Sequence, residues 1–277
     1  MRAAAIVAAL AAGLLAGCGG GGGGSDAKHV LAQTADNLGK IRSGVLHLAL
    51  VVTPRGTTGR GPVGFRLNGP FSLGSPGSFR IAYTQLAAAR QATVTVISTG
   101  GHGYVEVRGK TYELPPAQTR VLRSATAQLR SSGGLRSFGI GSWVRNPKVS
   151  DGGRVGGAET DRVTAVLDVV NAANGLLSLA RATGRPSPEL RGRNAKQLAD
   201  AVRSSSFELF TGKKDRLLRR VRLEADLGLD VPRNLRAVLG SLVGAKVRFL
   251  LGVDDPNSTI HVAAPEHALP AAELPHG

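Results

Sequence analysis

Apolar residues from Asp26 to Ser43 recur at a helical spacing. Val30, Leu31, Ala35, Leu38 and Ile41 share one face, and Gly44 supplies a stop. The period then changes. Val45–Thr53 reads as a strand apolar on both faces except at His47, and the Gly- and Thr-rich stretch from Pro54 to Pro62 reads as a turn. Val63–Leu67 and Phe79–Tyr83 alternate apolar and polar residues, as half-buried strands do, with Gly69-Pro70 between them as punctuation. Ala92–Thr99 and Tyr104–Val107 are strands joined across Gly100-Gly101. A tight turn at Gly109 leads to Thr111–Leu114, and Pro115-Pro116 stops that strand. Ala117–Arg130 fits a helix, and a Gly-rich loop from Ser131 to Ser142 leads to Trp143 and a turn over Arg145–Lys148.

The second half continues with a strand over Asp161–Val169 and a helix over Val170–Ala182. A break at Gly184–Pro188 precedes a further helix over Glu189–Ser204. Phe207–Thr211 is a strand with a turn at Gly212–Asp215. Leu217–Leu227 alternates most cleanly: Val221, Leu223, Ala225 and Leu227 face one way, while Arg220, Arg222, Glu224 and Asp226 face water. Val247–Val253 and Thr259–Val262 complete the set, and the tail holding Pro265, Pro270 and Pro275 is expected to be extended and partly disordered. Eight to ten sequential strands with three or four helices predict an α+β fold: a single large curved antiparallel sheet, a half-barrel, with helices on its concave face. Residues 131–158 hold the only long Gly-rich stretch and read as an insertion loop, so one domain is expected.

The N-terminus changes the picture most. Arg2 and the apolar run from Ala3 to Leu15 have the form of a signal peptide, and the run is too short to span a bilayer as a helix. Leu15-Ala16-Gly17-Cys18 closes it with the lipobox pattern of bacterial lipoproteins, and Cys18 is the only cysteine. Small residues before a cysteine suit cleavage there, and the thiol suits thioether attachment of a diacylglycerol. Residues 1–17 are therefore expected to be removed, with 18–26 forming the acylated cysteine and a Gly-rich tether. Residues 27–264 form the folded domain and 265–277 a Pro-rich tail. With Cys18 acylated, no cysteine remains for a disulfide.

The chain carries a formal charge of +16, or +15 once Arg2 is removed. Such a surface suits an anionic membrane or envelope polymer. Nucleic acid is not expected, because aromatic residues make up only 4% of the chain and leave few bases to stack on. No catalytic pattern stands out. The six histidines lack metal-ligand spacing, there is no nucleophile elbow, His47 reads as a satisfied strand residue, and Asp254-Asp255 beside Pro256-Asn257 reads as a turn. The expectation is a monomer that is no enzyme and has no cofactor or metal.

Several motifs resemble the LppX/LprG/LprA/LprF lipoproteins, whose fold is like that of the carrier LolA. They are the lipobox at Cys18, the helix 27–42 leading to Ser43-Gly44 and a strand, and the turn Asn68–Phe71. The hairpin His102–Pro115, the stretch Ser142–Val149 before a variable loop and the strand Glu159–Thr164, and the strand Arg219–Asp226 also match. The resemblance implies a half-barrel over helices that encloses an apolar cavity for acyl chains of a membrane lipid or glycolipid. The Arg-rich surface and the helical segment 184–204 depart from the usual pattern. On the residues alone, strand Val45–Val52 needs either a ligand or the protein's own helices on its second face. Leu48, Leu50, Val221, Leu223, Phe249 and Leu251 are the candidate lining residues. The alternative is a lipid-free envelope scaffold binding an anionic polymer or a partner protein.

Overall fold

The computed structural model describes residues 23–56, 61–131, 139–182, 189–228 and 244–274. Helix α1 (Gly23–Asn37) ends in a 3-10 turn at Leu38–Lys40. It starts three residues before Asp26, inside the glycine run. Six strands follow: β1 (Ser43–Arg55), β2 (Val63–Ser72), β3 (Ser78–Ala87), β4 (Arg90–Ser98), β5 (Gly103–Val107) and β6 (Lys110–Glu113). Helix α2 (Pro116–Ser131) precedes the hairpin β7 (Val144–Val155) and β8 (Ala158–Leu167). Then come α3 (Val169–Ala182), α4 (Gly192–Ala201), β9 (Val202–Gly212), β10 (Leu218–Gly228) and β11 (Gly244–Asp254).

All eleven strands form one antiparallel, unclosed sheet in the order β6-β5-β4-β3-β2-β1-β11-β10-β9-β8-β7. The expected fold class is the one observed. The two runs of sequential strands meet where β1 pairs with β11, Leu48 opposite Leu251. One face carries the core: Val30 and Leu31 from α1 and Leu38 from the 3-10 turn after it pack with Val163, Leu209, Val221, Leu251 and Trp143. The helix-bearing face and the apolar face of the sheet therefore coincide, as burial of a one-sided sheet requires.

Several expectations change. The stretch read as an insertion loop contains β7, whose many exposed side chains suit its place at the sheet edge. Its glycines and Arg145–Lys148 are bulges, not turns: the register with β8 shifts at Arg145/Lys148 and at Asp151/Gly153, and Asn146 takes φ 53°. The helix expected to reach Ser204 stops at Ala201, because Val202–Ser204 are claimed by the β9 ladder to β10. Thr259–Val262 joins no ladder. The tail is held further on, where the Glu113 N–H donates to the Leu269 carbonyl and the Leu269 N–H to the Thr111 carbonyl, at 2.8 and 2.9 Å. Residues 57–60 of the expected turn Pro54–Pro62, the expected break at Gly184–Pro188 and residues 132–138 of the expected Gly-rich loop Ser131–Ser142 lie outside the described residues.

Strand β2 also runs through the expected break at Gly69-Pro70. Its ladder to β1 continues there, Val45 opposite Pro70, while the ladder to β3 skips both residues. Proline has no N–H to give that neighbour. Gly64 and Gly69 have φ of 147° and 146°, and a Cβ at either would overlap the carbonyl oxygen of Leu50 or Arg80. Gly69→Val should lower stability by roughly 2–4 kcal/mol through strain and overlap at a special backbone position. A urea titration checks this, and an unchanged midpoint would mean that β2 accommodates a side chain there.

Candidate functional site

Register converts the alternation of each strand into rows across the sheet, because directly opposed residues share a face. One row runs through ten strands: Val149, Val163, Leu209, Val221, Leu251, Leu48, Leu67, Tyr83, Val94 and Val107. Every member is apolar or aromatic. A shorter row beside it holds Ala165, Phe207, Leu223, Phe249, Leu50 and Phe65.

Burial divides these rows. Val163, Leu209, Val221 and Leu251 are fully buried under α1 and the Trp143 region. Leu48, Leu50, Phe65, Leu67, Val94 and Val107 are only half-buried, and Tyr83 is 38% exposed. The Phe65 and Tyr83 rings stack at 6.3 Å on this open part. Trp143 lies edge-on to Phe249, ring centroids 6.3 Å apart, inside the filled part.

The open part is a trough with one closed end. A Cβ at Gly103 would lie 3.1 Å from Leu122 and Thr119, so the start of α2 covers the inner face at the β4–β5 turn. Farther along, Arg130 Nη1 donates to the Gly74 carbonyl at 3.2 Å in the β2–β3 turn. Helix α2 thus lies across the strand ends from β6 to β2. At the other end of the strands, among the described residues, no helix crosses β2–β5.

The six expected lining residues fall on one face, in two rows of three: Val221, Leu251 and Leu48, then Leu223, Phe249 and Leu50. Four of them are buried among the protein's own side chains, whereas Leu48 and Leu50 sit where the filled core meets the trough. Phe65, Leu67, Tyr83, Val94 and Val107 escaped the sequence reading as candidates. Their alternation was legible, but their pairing with Leu48 and Leu50 was not. Cys18 lies outside the described residues.

Ionisable groups sit elsewhere. On the outer face His47 Nε2 is 2.9 Å from Asp254, and His102 Nδ1 is 2.9 Å from Glu113. Asp255 and Asn257 have positive φ, as the expected turn requires. The outer face also carries a charge ladder in which Arg55 pairs with Asp226, Arg162 with Glu208, and Lys246 with Glu224 at 2.7 Å. At the β9–β10 turn, burial raises the Asp215 pKa, but the Leu217 N–H and Arg219 outweigh it and leave the carboxyl below its usual range. Among the described residues no group of His, Cys, Asp and Glu could hold a metal ion. No described helix is long and apolar enough to cross a membrane.

No family model matches the chain, and no curated protein matches it. Among solved structures it is similar to LprF from Mycobacterium bovis, at 12% identity and a TM-score of 0.45, over 88% of this chain and 98% of that one. It is also similar to lipoprotein LppX from Mycobacterium tuberculosis, at 13% identity and a TM-score of 0.37, over 83% and 97%. A LolA superfamily protein from Nitrosomonas europaea matches at 9% identity and a TM-score of 0.22, over 83% and 94%.

Proposed function

We propose that this chain is a lipid-anchored protein of the extracytoplasmic membrane face that binds acyl chains of a membrane lipid or glycolipid and carries them. The half-covered section of the ten-strand apolar row carries this reading. Apolar side chains left open on a concave face lower their free energy by taking up hydrocarbon, at about 25 cal/mol per Å² covered. The lipobox at Cys18 supports the choice of occupant, because it would hold the trough beside a bilayer, the source of acyl chains. Leu48 and Leu50 would border the ligand, with Leu67, Tyr83 and Val94 beneath it, while Val221, Leu223, Phe249 and Leu251 support that floor from the core. Binding of this kind makes and breaks no covalent bond, so no catalytic group is required.

The test is native mass spectrometry of an exported soluble form beginning at Gly19, beside an organic-solvent extract of the same sample. A stoichiometric adduct of lipid mass is expected. A bare protein mass, unchanged after incubation with phospholipids and glycolipids, would sink the carrier reading in favour of an envelope scaffold.

A further inference from the structure

Beyond β11 the chain turns back onto the sheet. The turn at Asp255–Asn257 returns it to the start of β1, where three hydrogen bonds hold it. The Asn257 N–H donates to the Ser43 carbonyl at 2.9 Å, the Ser43 hydroxyl to the Ser258 carbonyl at 2.6 Å, and the Arg42 N–H to Asn257 Oδ1 at 2.8 Å. The next backbone hydrogen bonds come at Leu269, which bridges Tyr112 on the far edge of the sheet. Strands β1 and β6 stand five strand spacings apart, about 24 Å. The eleven residues that follow Ser258 reach about 36–40 Å when extended, enough to cross the sheet.

Between those two holds the chain alternates. Ser258, Ile260 and Val262 are half-buried, while Thr259, His261 and Ala263 are exposed, so one side of the segment presses on protein. The outer face of β3–β6 holds a row that needs such a cover. Arg80, Ile97, Tyr104 and Glu113 stand opposite one another on successive strands. Gly103, one residue before Tyr104, faces α2, so Tyr104 and Ile97 point away from that helix. Yet Ile97 is fully buried and Tyr104 nearly so. The His102 ring stacks on Tyr104 at 6.4 Å, which leaves Ile97 to be covered by another part of the chain.

We propose that residues 258–269 are a releasable strap across the outer face of β2–β5, and that this strap holds the trough in the shape that retains an acyl chain. The inference rests on the acyl-binding reading above and extends it to retention and release. Ile260 and Val262 are the apolar side chains that the strap lays toward Ile97. The strap pivots at Ser43 and lets go at Leu269, which is 36% exposed and stands between exposed Ala268 and Pro270. Segments with few buried apolar contacts open at low cost. Away from α2, no described helix supports the inner face of β2–β5, so the curvature there depends on the strand ladders and on this strap.

The test uses the full mature chain, purified from membranes and loaded with a pyrene-labelled phosphatidylcholine. Leu269→Pro removes the N–H that bonds the Thr111 carbonyl, and Val262→Asp puts a charge on the covering side, whereas Leu269→Ala keeps both hydrogen bonds to β6. Amide exchange at 94–97, 104–107 and 111–113 should rise roughly three- to tenfold in the first two variants, the factor that loss of one hydrogen bond brings. Exchange at 207–211 and 219–225 should not change. Transfer of the labelled lipid to phosphatidylcholine vesicles should quicken by a similar factor, and Leu269→Ala should match the unaltered protein. Unchanged exchange at 94–113 in both disruptive variants overturns the strap, and faster exchange without faster transfer overturns its hold on the trough. An unaltered chain that takes up no labelled lipid refutes the acyl-binding reading and retention with it, while the exchange result still decides the strap.

Discussion

Asp substituted at two positions of the same apolar row should give opposite phenotypes. Val221→Asp should leave no folded protein, while Leu67→Asp should yield a folded protein with at least about tenfold less bound lipid. Val221 is fully buried at the centre of β10, between Leu209 and Leu251, which are also fully buried. A carboxylate there has no partner and no water, and an uncompensated buried charge costs about 3–5 kcal/mol. The lost packing adds to that, against a total stability of about 5–15 kcal/mol. Leu67 is half-buried, so its carboxylate keeps contact with water and the fold loses only about 1–2 kcal/mol. An acyl chain lying over β2 would meet that charge directly. Thermal melts followed by circular dichroism, with lipid quantified per protein, read both outcomes. If Leu67→Asp unfolds the protein as Val221→Asp does, the trough is a filled core and the carrier reading fails.

Trp143→Ala should lower stability by about 3–5 kcal/mol, the range for removing a large aromatic side chain from a core. The indole is fully buried, packs edge-on to Phe249, and leaves so little room that a Cβ on Gly175 of α3 would lie 2.5 Å from its Nε1. Such aromatic pairs contribute roughly 0.5–1.5 kcal/mol beyond the area they bury. Trp143 thus ties α3 and the start of β7 to β11 within the core. A urea titration read by far-ultraviolet circular dichroism checks the value, since the variant has no tryptophan left to report. A loss below about 1 kcal/mol would mean that α3 holds its place by other contacts.

Local pattern was enough to find most elements. The alternation of Leu217–Leu227 predicted β10 and its two faces, because a strand on a one-sided core must alternate. The glycines at 100–101 and 109 marked the β4–β5–β6 meander, and Gly100 and Gly109 take the positive φ, 86° and 76°, that favours glycine there. Edges were harder to read. Strand β7 hides in a Gly-rich stretch, because a bulged edge strand needs little apolar content of its own. Val202–Ser204 read as helix, because only the ladder to β10 tells otherwise.

By itself, then, the amino-acid sequence determined an α+β chain of alternating strands, a helical N-terminus, a lipobox at Cys18 and an excess of positive charge. Those are properties of short windows and of composition. The tertiary structure decided that β1 joins β11, that Leu48 stands between Leu251 and Leu67, and that α1 fills one half of the inner face while part of the other half stays open. Period-two alternation states that a strand has an apolar face, but pairing between residues two hundred positions apart states what that face meets.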